Sequence, residues 1–260
     1  PYNTHLENFK GKPEWQRIKA WDSKWKEYVK SDTIAPKKWP IKGDKFKTLL
    51  ECLAAVDESL GQVLAYLEKT GELDNTVIIY SSDNGYFMGE HGYWDKRIAY
   101  ESSMKIPMLI RYPKKIKPGT VINQNALNID LAPTILEIAG VKTPSYMQGE
   151  SMVKLFDDKK EAIWREAFMF EYFVDDAYPY AGPNMLAIKS DKYKLVDAFL
   201  ENDIDELYDL ENDPGEMFNL INNAKYDVVQ TKLRADLEKL KEKYKYNADR
   251  DWWLKRQIPH

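Results

Sequence analysis

Between Phe46 and Ser81 the chain writes out a helix and then a strand, and this pair restricts the fold more than any other feature. Leu49, Leu53, Val56, Leu60, Val63 and Leu67 recur at the i, i+3/i+4, i+7 spacing of an amphipathic helix. Thr70-Gly71 ends that helix, with Gly71 as the expected C′ residue. Asp74-Asn75 then turns the chain into Thr76-Val-Ile-Ile-Tyr-Ser81. A strand that is apolar at successive positions needs cover on both faces, as in a parallel sheet. Ile106–Arg111 reads as the next strand, followed by a turn at Lys117-Pro118-Gly119. Asp130 is expected to cap a helix over Leu131–Ala139, where Pro133 is tolerated in the first turn. Helix, strand, loop, strand, helix predicts an α/β architecture.

The texture changes after about residue 150. Ala167–Phe173 and Met185–Val196 read as strands, the second broken by a Ser-Asp-Lys turn. Leu207–Leu210 adds a short strand before the turn Asn212-Asp213-Pro214-Gly215. A last helix is expected from about Lys225 to Tyr244, with Val228, Val229, Leu233, Leu237 and Leu240 on one face. Residues 151–260 thus predict a small antiparallel subdomain with a terminal helix, after an α/β portion over 1–150. At the other end, residues 1–47 mix Trp15, Trp21, Trp25 and Trp39 with lysines, and helical turns are expected near 13–30.

With 260 residues, 43% hydrophobic and 31% charged, the chain is long enough for a sizeable core. Its net charge of −4 argues against nucleic acid as a partner, and no apolar run approaches the roughly 20 residues that span a bilayer. One cysteine, Cys52, excludes an intrachain disulfide. Seventeen tyrosines and eight tryptophans serve packing first, with sugar stacking as the second reading.

The chemistry concentrates just beyond the predicted strand. Asp83 and Asn84 stand where it should end, and in open α/β sheets ligands bind beyond the carboxyl ends of strands. A carboxylate and an amide oxygen suit a hard cation such as calcium or magnesium, although calcium takes about six to eight oxygens and the others must come from elsewhere. The bland alternative for Asp-Asn-Gly is a plain turn. His91 follows in Gly-Glu-His-Gly and Lys96 in Trp-Asp-Lys-Arg. Each alone reads as an ordinary loop residue. Together, a metal, an imidazole and an ammonium neutralise the oxygens of a sulfuryl or phosphoryl group in transfer.

These segments resemble the sulfatase branch of the alkaline-phosphatase-like superfamily. The resemblance rests on Ser-Asp-Asn-Gly, Gly-Glu-His-Gly and the run Lys96 to Pro107, Lys-Arg-x-x-Tyr-Glu-Ser-Ser-x-Lys-x-Pro. Asn128–Gly140 and Glu206–Leu220 resemble later family signatures, so the likeness spans roughly 46–220 in the family's order. It is nearest in kind to bacterial carbohydrate sulfatases of the N-acetylglucosamine-6-sulfatase-like group. The resemblance implies a mixed or parallel sheet flanked by helices, hydrolysis of sulfate esters of carbohydrates, and a periplasmic or secreted location. It implies that Asp83 and Asn84 bind calcium, with magnesium the alternative, that Lys96 contacts the sulfate group, and that His91 lines the substrate pocket. Glu101 and Lys105 fit the motif as residues that hold the loop. The loop from Tyr172 to Pro183, with Asp175, Asp176 and Tyr178, is where specificity is expected.

One departure is plain in the residues. The family's nucleophile is a formylglycine hydrate made within Cys/Ser-x-Pro/Ala-x-Arg, whereas Cys52 opens Cys-Leu-Ala-Ala-Val inside the predicted helix. No serine fits either, so formylglycine is expected in an N-terminal part that this sequence does not contain, and the chain alone is expected to be inactive. The strand at Thr76–Ser81 would then risk an open edge, which predicts a complementing sulfatase segment or a homo-oligomer. Two other readings stay open: a phosphodiester or phosphonate ester hydrolase of the same superfamily, and a non-catalytic glycan-binding remnant.

Overall fold

The computed structural model describes residues 18–22, 27–30, 43–157, 162–172, 185–198 and 204–246. The chain divides into two compact units that interleave in sequence. One comprises Pro1–Trp39, Gly85–Lys105 and Glu166–His260; the other comprises Pro40–Asn84 and Ile106–Arg165.

In the first unit, β1 (Ile18–Asp22) and β2 (Glu27–Lys30) form an antiparallel pair with an irregularity between Lys19 and Asp22. Helical turns expected near 13–30 are therefore not found at these positions, since the alternating Ile-Lys-Ala-Trp pattern suits a strand better than a helix. The remainder of 13–30 lies outside the described residues.

The main body of this unit is a four-stranded antiparallel sheet in the order β10-β9-β8-β7. Its strands are β7 (Ala167–Tyr172), β8 (Met185–Ser190), β9 (Tyr193–Ala198) and β10 (Glu206–Asp209), close to their sequence expectations. Successive side chains point to opposite faces, and both faces are covered. On one, Ile188, Leu195 and Leu207 pack against Leu233 and Leu237 of the last helix, Asp227–Lys243. Val228 was expected on that apolar face, yet it is 82% exposed, because Val229, four residues before Leu233, continues the buried stripe and turns Val228 away from the sheet. On the other face, Met185, Ala187, Val196 and Tyr208 pack against Phe87, Ile98, Ala99 and Tyr100. The segment 87–100 carries His91 and Lys96, so this sheet is the platform on which that loop is built.

The second unit holds the long helix α1 (Gly43–Lys69) and an antiparallel pair, β3 (Ile78–Ser81) with β6 (Met108–Arg111). Between them in sequence lie the short β4 (Phe87–Met88) and β5 (Trp94–Asp95), which pair with each other in the first unit. Every strand pairing among the described residues is antiparallel, so the parallel neighbours expected beside Thr76–Ser81 are not among them. Arg111 fastens β6 to the end of the α1 connection, donating to the Leu73 carbonyl at 2.7 Å and to Asp74 Oδ1 at 2.6 Å.

Asp130 was expected to cap the following helix, observed at Leu131–Ile138, but its side chain does not cap that helix. Fully buried, its carboxylate instead accepts the Leu127 and Glu150 amides, each at 2.8 Å, and pairs with the Arg165 guanidinium through both oxygens. A buried charge must be paired, and a guanidinium fork satisfies a carboxylate in full. Gly149 is needed beside it, since a Cβ there would lie 2.0 Å from the Ile129 carbonyl oxygen. No helix among the described residues is long and apolar enough to cross a membrane.

Candidate active site

Asp83 and Asn84 follow directly after β3, in the second unit, as the sequence predicts. Asp83 is exposed and Asn84 half-buried. Asp83 Oδ1 accepts the Asn84 amide at 2.9 Å and the Ser82 hydroxyl at 3.3 Å, and that hydroxyl also reaches the Asn84 carbonyl oxygen at 3.1 Å. This local set fixes the carboxylate at the strand's end. Two adjacent oxygen-bearing side chains there fit a hard divalent cation in kind, though not in number. Among the described residues no group of three or more acidic, histidine or cysteine side chains is arranged to hold a metal.

Gly85, next in sequence, belongs to the first unit and is required by close approach rather than by its backbone angles. A Cβ would stand 2.3 Å from the Ser102 carbonyl oxygen and 3.0 Å from that of Lys105. The Gly85 amide donates to the Ser103 carbonyl at 2.8 Å. The glycine thus seats the start of the His91–Lys96 loop against the short helix Glu101–Met104.

The loop is held in uncommon backbone conformations. Gly89 has φ 108°, His91 53°, Asp95 80° and Arg97 92°. Left-handed non-glycine residues cost on the order of 1 kcal/mol each and persist where surroundings enforce them, which is common at functional sites. Here Lys96 sits between two of them. Asp95 and Arg97 form an ion pair, and the Arg97 amide donates to Ser103 Oγ at 3.0 Å. Lys96 and His91 are both half-buried in the same unit. The His91 imidazole stacks on Tyr100, with centroids 4.3 Å apart and planes 18° from parallel. Phe87 approaches it edge-on at 6.4 Å.

Beneath the loop lie two buried polar sets that sequence reading did not find. In one, Glu206 Oε2 accepts the Tyr100 hydroxyl at 2.6 Å and the Tyr208 hydroxyl, and the two phenols are 3.2 Å apart. Burial, reinforced by the Glu206 charge, pushes both phenols far above the ordinary tyrosine range, so they stay protonated donors. In the other, Lys194 is fully buried, with Glu216 Oε1 2.6 Å and Glu101 Oε1 2.9 Å from its ammonium and the Ala99 carbonyl at 2.9 Å. Lys189 pairs with Glu101 at 2.7 Å, and Glu216 Oε2 accepts the Glu101 amide at 2.7 Å. Burial alone would raise the Glu101 carboxyl, but the Lys194 and Lys189 ammoniums overcome it and hold it below the usual carboxylate range. Glu101 therefore holds the loop, as its place in the motif implied. Lys105 is exposed, and its carbonyl rather than its side chain borders Gly85.

The signals for these residues were faint but present. Glu206 and Tyr208 are two apart on one strand and hence on one face, and Lys194 interrupts the apolar run of β9. The specificity loop expected after Tyr172, with Asp175, Asp176 and Tyr178, lies outside the described residues. Cys52 is exposed on α1, which agrees with its reading as a helix residue.

Two family models match the chain: Sulfatase over residues 7–141, and N-sulphoglucosamine sulphohydrolase, C-terminal, over residues 89–243. The chain is 43% identical over 204 residues to an N-acetylglucosamine-6-O-sulfatase of Bacteroides thetaiotaomicron, a stretch that takes in 76% of this chain and 36% of that protein. Among solved structures it resembles BT4656 in complex with its substrate D-glucosamine-2-N,6-O-disulfate, with TM-score 0.71 and 41% identity over 75% of this chain and 40% of that one. It also resembles the phosphonate monoester hydrolase of Agrobacterium radiobacter, with TM-score 0.66 and 26% identity over 74% of this chain and 40% of that one. The chain therefore spans about two fifths of the length of the relatives it matches.

Proposed function

Because the chain belongs to the sulfatase family, we propose that it is the C-terminal part of an enzyme that hydrolyses sulfate esters of carbohydrates, with a sulfated glucosamine as the favoured substrate. The observation that carries this is the 43% identity to an N-acetylglucosamine-6-O-sulfatase, joined to a loop that presents His91 and Lys96 from strained backbone.

In this reading Lys96 binds an equatorial sulfate oxygen, where its ammonium offsets charge that grows as the ester bond breaks. His91 faces the sugar side of the same group. Asp83 and Asn84 hold calcium, or magnesium in its place, together with oxygen ligands from outside these residues. The cation, when bound, neutralises sulfate oxygens and orients the nucleophile. The nucleophile itself belongs to a Cys/Ser-x-Pro/Ala-x-Arg segment that is not within these 260 residues. A complementing sulfatase segment, or a second copy of the chain, is the proposed macromolecular partner, and a periplasmic or secreted location follows from the family. Division into an α/β portion over 1–150 and a subdomain over 151–260 belongs to the same proposal.

The phosphonate monoester hydrolase likeness gives the second reading its support, though at lower identity. Metal analysis of the active enzyme separates the two. One calcium per site, lost on Asp83→Ala, is the expected result, and two transition-metal ions per site would transfer the chain to the phosphoesterase side.

A further inference from the structure

We infer that Tyr100 is a positioning residue for His91, setting the plane in which the imidazole meets the ligand. This rests on the proposed function only in taking His91 as a residue of the substrate pocket.

His91 has a left-handed backbone, which by itself leaves its side chain free to sample several directions. The ring of Tyr100 narrows that freedom: 4.3 Å between centroids with an 18° tilt is a face-to-face stack that covers one face of the imidazole and fixes its plane. Phe87, edge-on at 6.4 Å, closes a second side. For a ring to serve as a reference surface it must itself be fixed. Tyr100 is 1% exposed, and its hydroxyl is anchored to Glu206, which also accepts Tyr208. Glu206 is 2% exposed on β10. Burying an acid there carries a desolvation cost, so mere filling of the space would be served better by an apolar side chain. What the acid adds is directional: one oxygen that fixes the reach and height of two phenols.

The test is a histidine side-chain NMR spectrum of the full 260-residue chain, read against the imidazole shifts of free histidine at the same pH as the reference positions, with His91→Gln identifying the His91 signals among the three histidines. Ring current from Tyr100 should move the His91 ring protons upfield of the reference positions. Tyr100→Leu should return them to the reference positions, and Tyr100→Phe, which keeps the ring, should retain most of the displacement. N-acetylglucosamine-6-sulfate should shift the His91 signals in the unaltered and Tyr100→Phe chains and bind several-fold more weakly to Tyr100→Leu. His91 signals at the reference positions in the unaltered chain overturn the inference without any variant, as does a Tyr100→Leu spectrum identical to the original. With a complementing sulfatase segment and calcium supplied, signals displaced by Tyr100→Leu but indifferent to the sulfated sugar overturn the proposed substrate instead and leave the stack standing.

Discussion

Lys194 is the residue whose loss should be felt most widely. Its fully buried ammonium neutralises the carboxylates of Glu216 and Glu101, and removing one member of a buried ion pair costs about 3–5 kcal/mol because Glu216 is left buried without its counter-charge. Lys194→Met should therefore lower the free energy of unfolding in urea by that amount and loosen the 87–100 segment, whose Ala99 carbonyl accepts from this ammonium. A pH dependence follows from Glu101. Its folded carboxyl lies below the ordinary glutamate value of 4.5, so the stability it contributes is present above that value and is lost as pH falls through the folded value. Acid unfolding followed by circular dichroism should show the loss, and Glu101→Gln should flatten it. Lys96→Ala acts on chemistry instead: in the complete enzyme kcat/KM for a sulfated sugar should fall about 10²–10³-fold, the scale for one lost charge-stabilising donor, with unfolding unchanged. Asp83, Asn84, His91 and Lys96 could be singled out from sequence because residue type and order suggest their chemistry. Glu206, Tyr208 and Lys194 were not, because in sequence a buried acid and an exposed one read alike, and only the packed sheet separates them.

At the scale of elements, period-based reading succeeded where one face meets one neighbour. Leu233 and Leu237 fall on the sheet as spaced, and Leu237→Ala should destabilise the unit by about 2–5 kcal/mol on thermal unfolding. It served less well for α1. The stripe that defines this helix in sequence leaves Leu53 48%, Val56 45% and Val63 53% exposed among the described residues. Periodicity fixes which side chains share a face, not what covers that face. Cys52 gives a simple probe: exposed on α1, it should react with a disulfide reagent in the native chain as fast as a free thiol. Asp130 shows the opposite limit. An acid before a helix is usually a cap, but at full burial the guanidinium of Arg165 is the stronger partner, and that residue is 35 positions away.

For the molecule as a whole, family and α/β class were readable from a few segments in the right order, and the sheet that supports the site loop was readable strand by strand. How Gly85–Lys105 leaves its sequence neighbours to join the sheet of residues 167–209 was not, because such pairing depends on contacts about a hundred residues apart. The measurement that bears most directly on the central claim is release of inorganic sulfate from N-acetylglucosamine-6-sulfate, with calcium present, by this chain supplied with a sulfatase segment bearing Cys/Ser-x-Pro/Ala-x-Arg. Sulfate release that requires both polypeptides and disappears with Lys96→Ala is the predicted result. Release by the 260-residue chain alone, or a complemented enzyme that ignores the sulfate ester and cleaves a phosphonate ester, would contradict it.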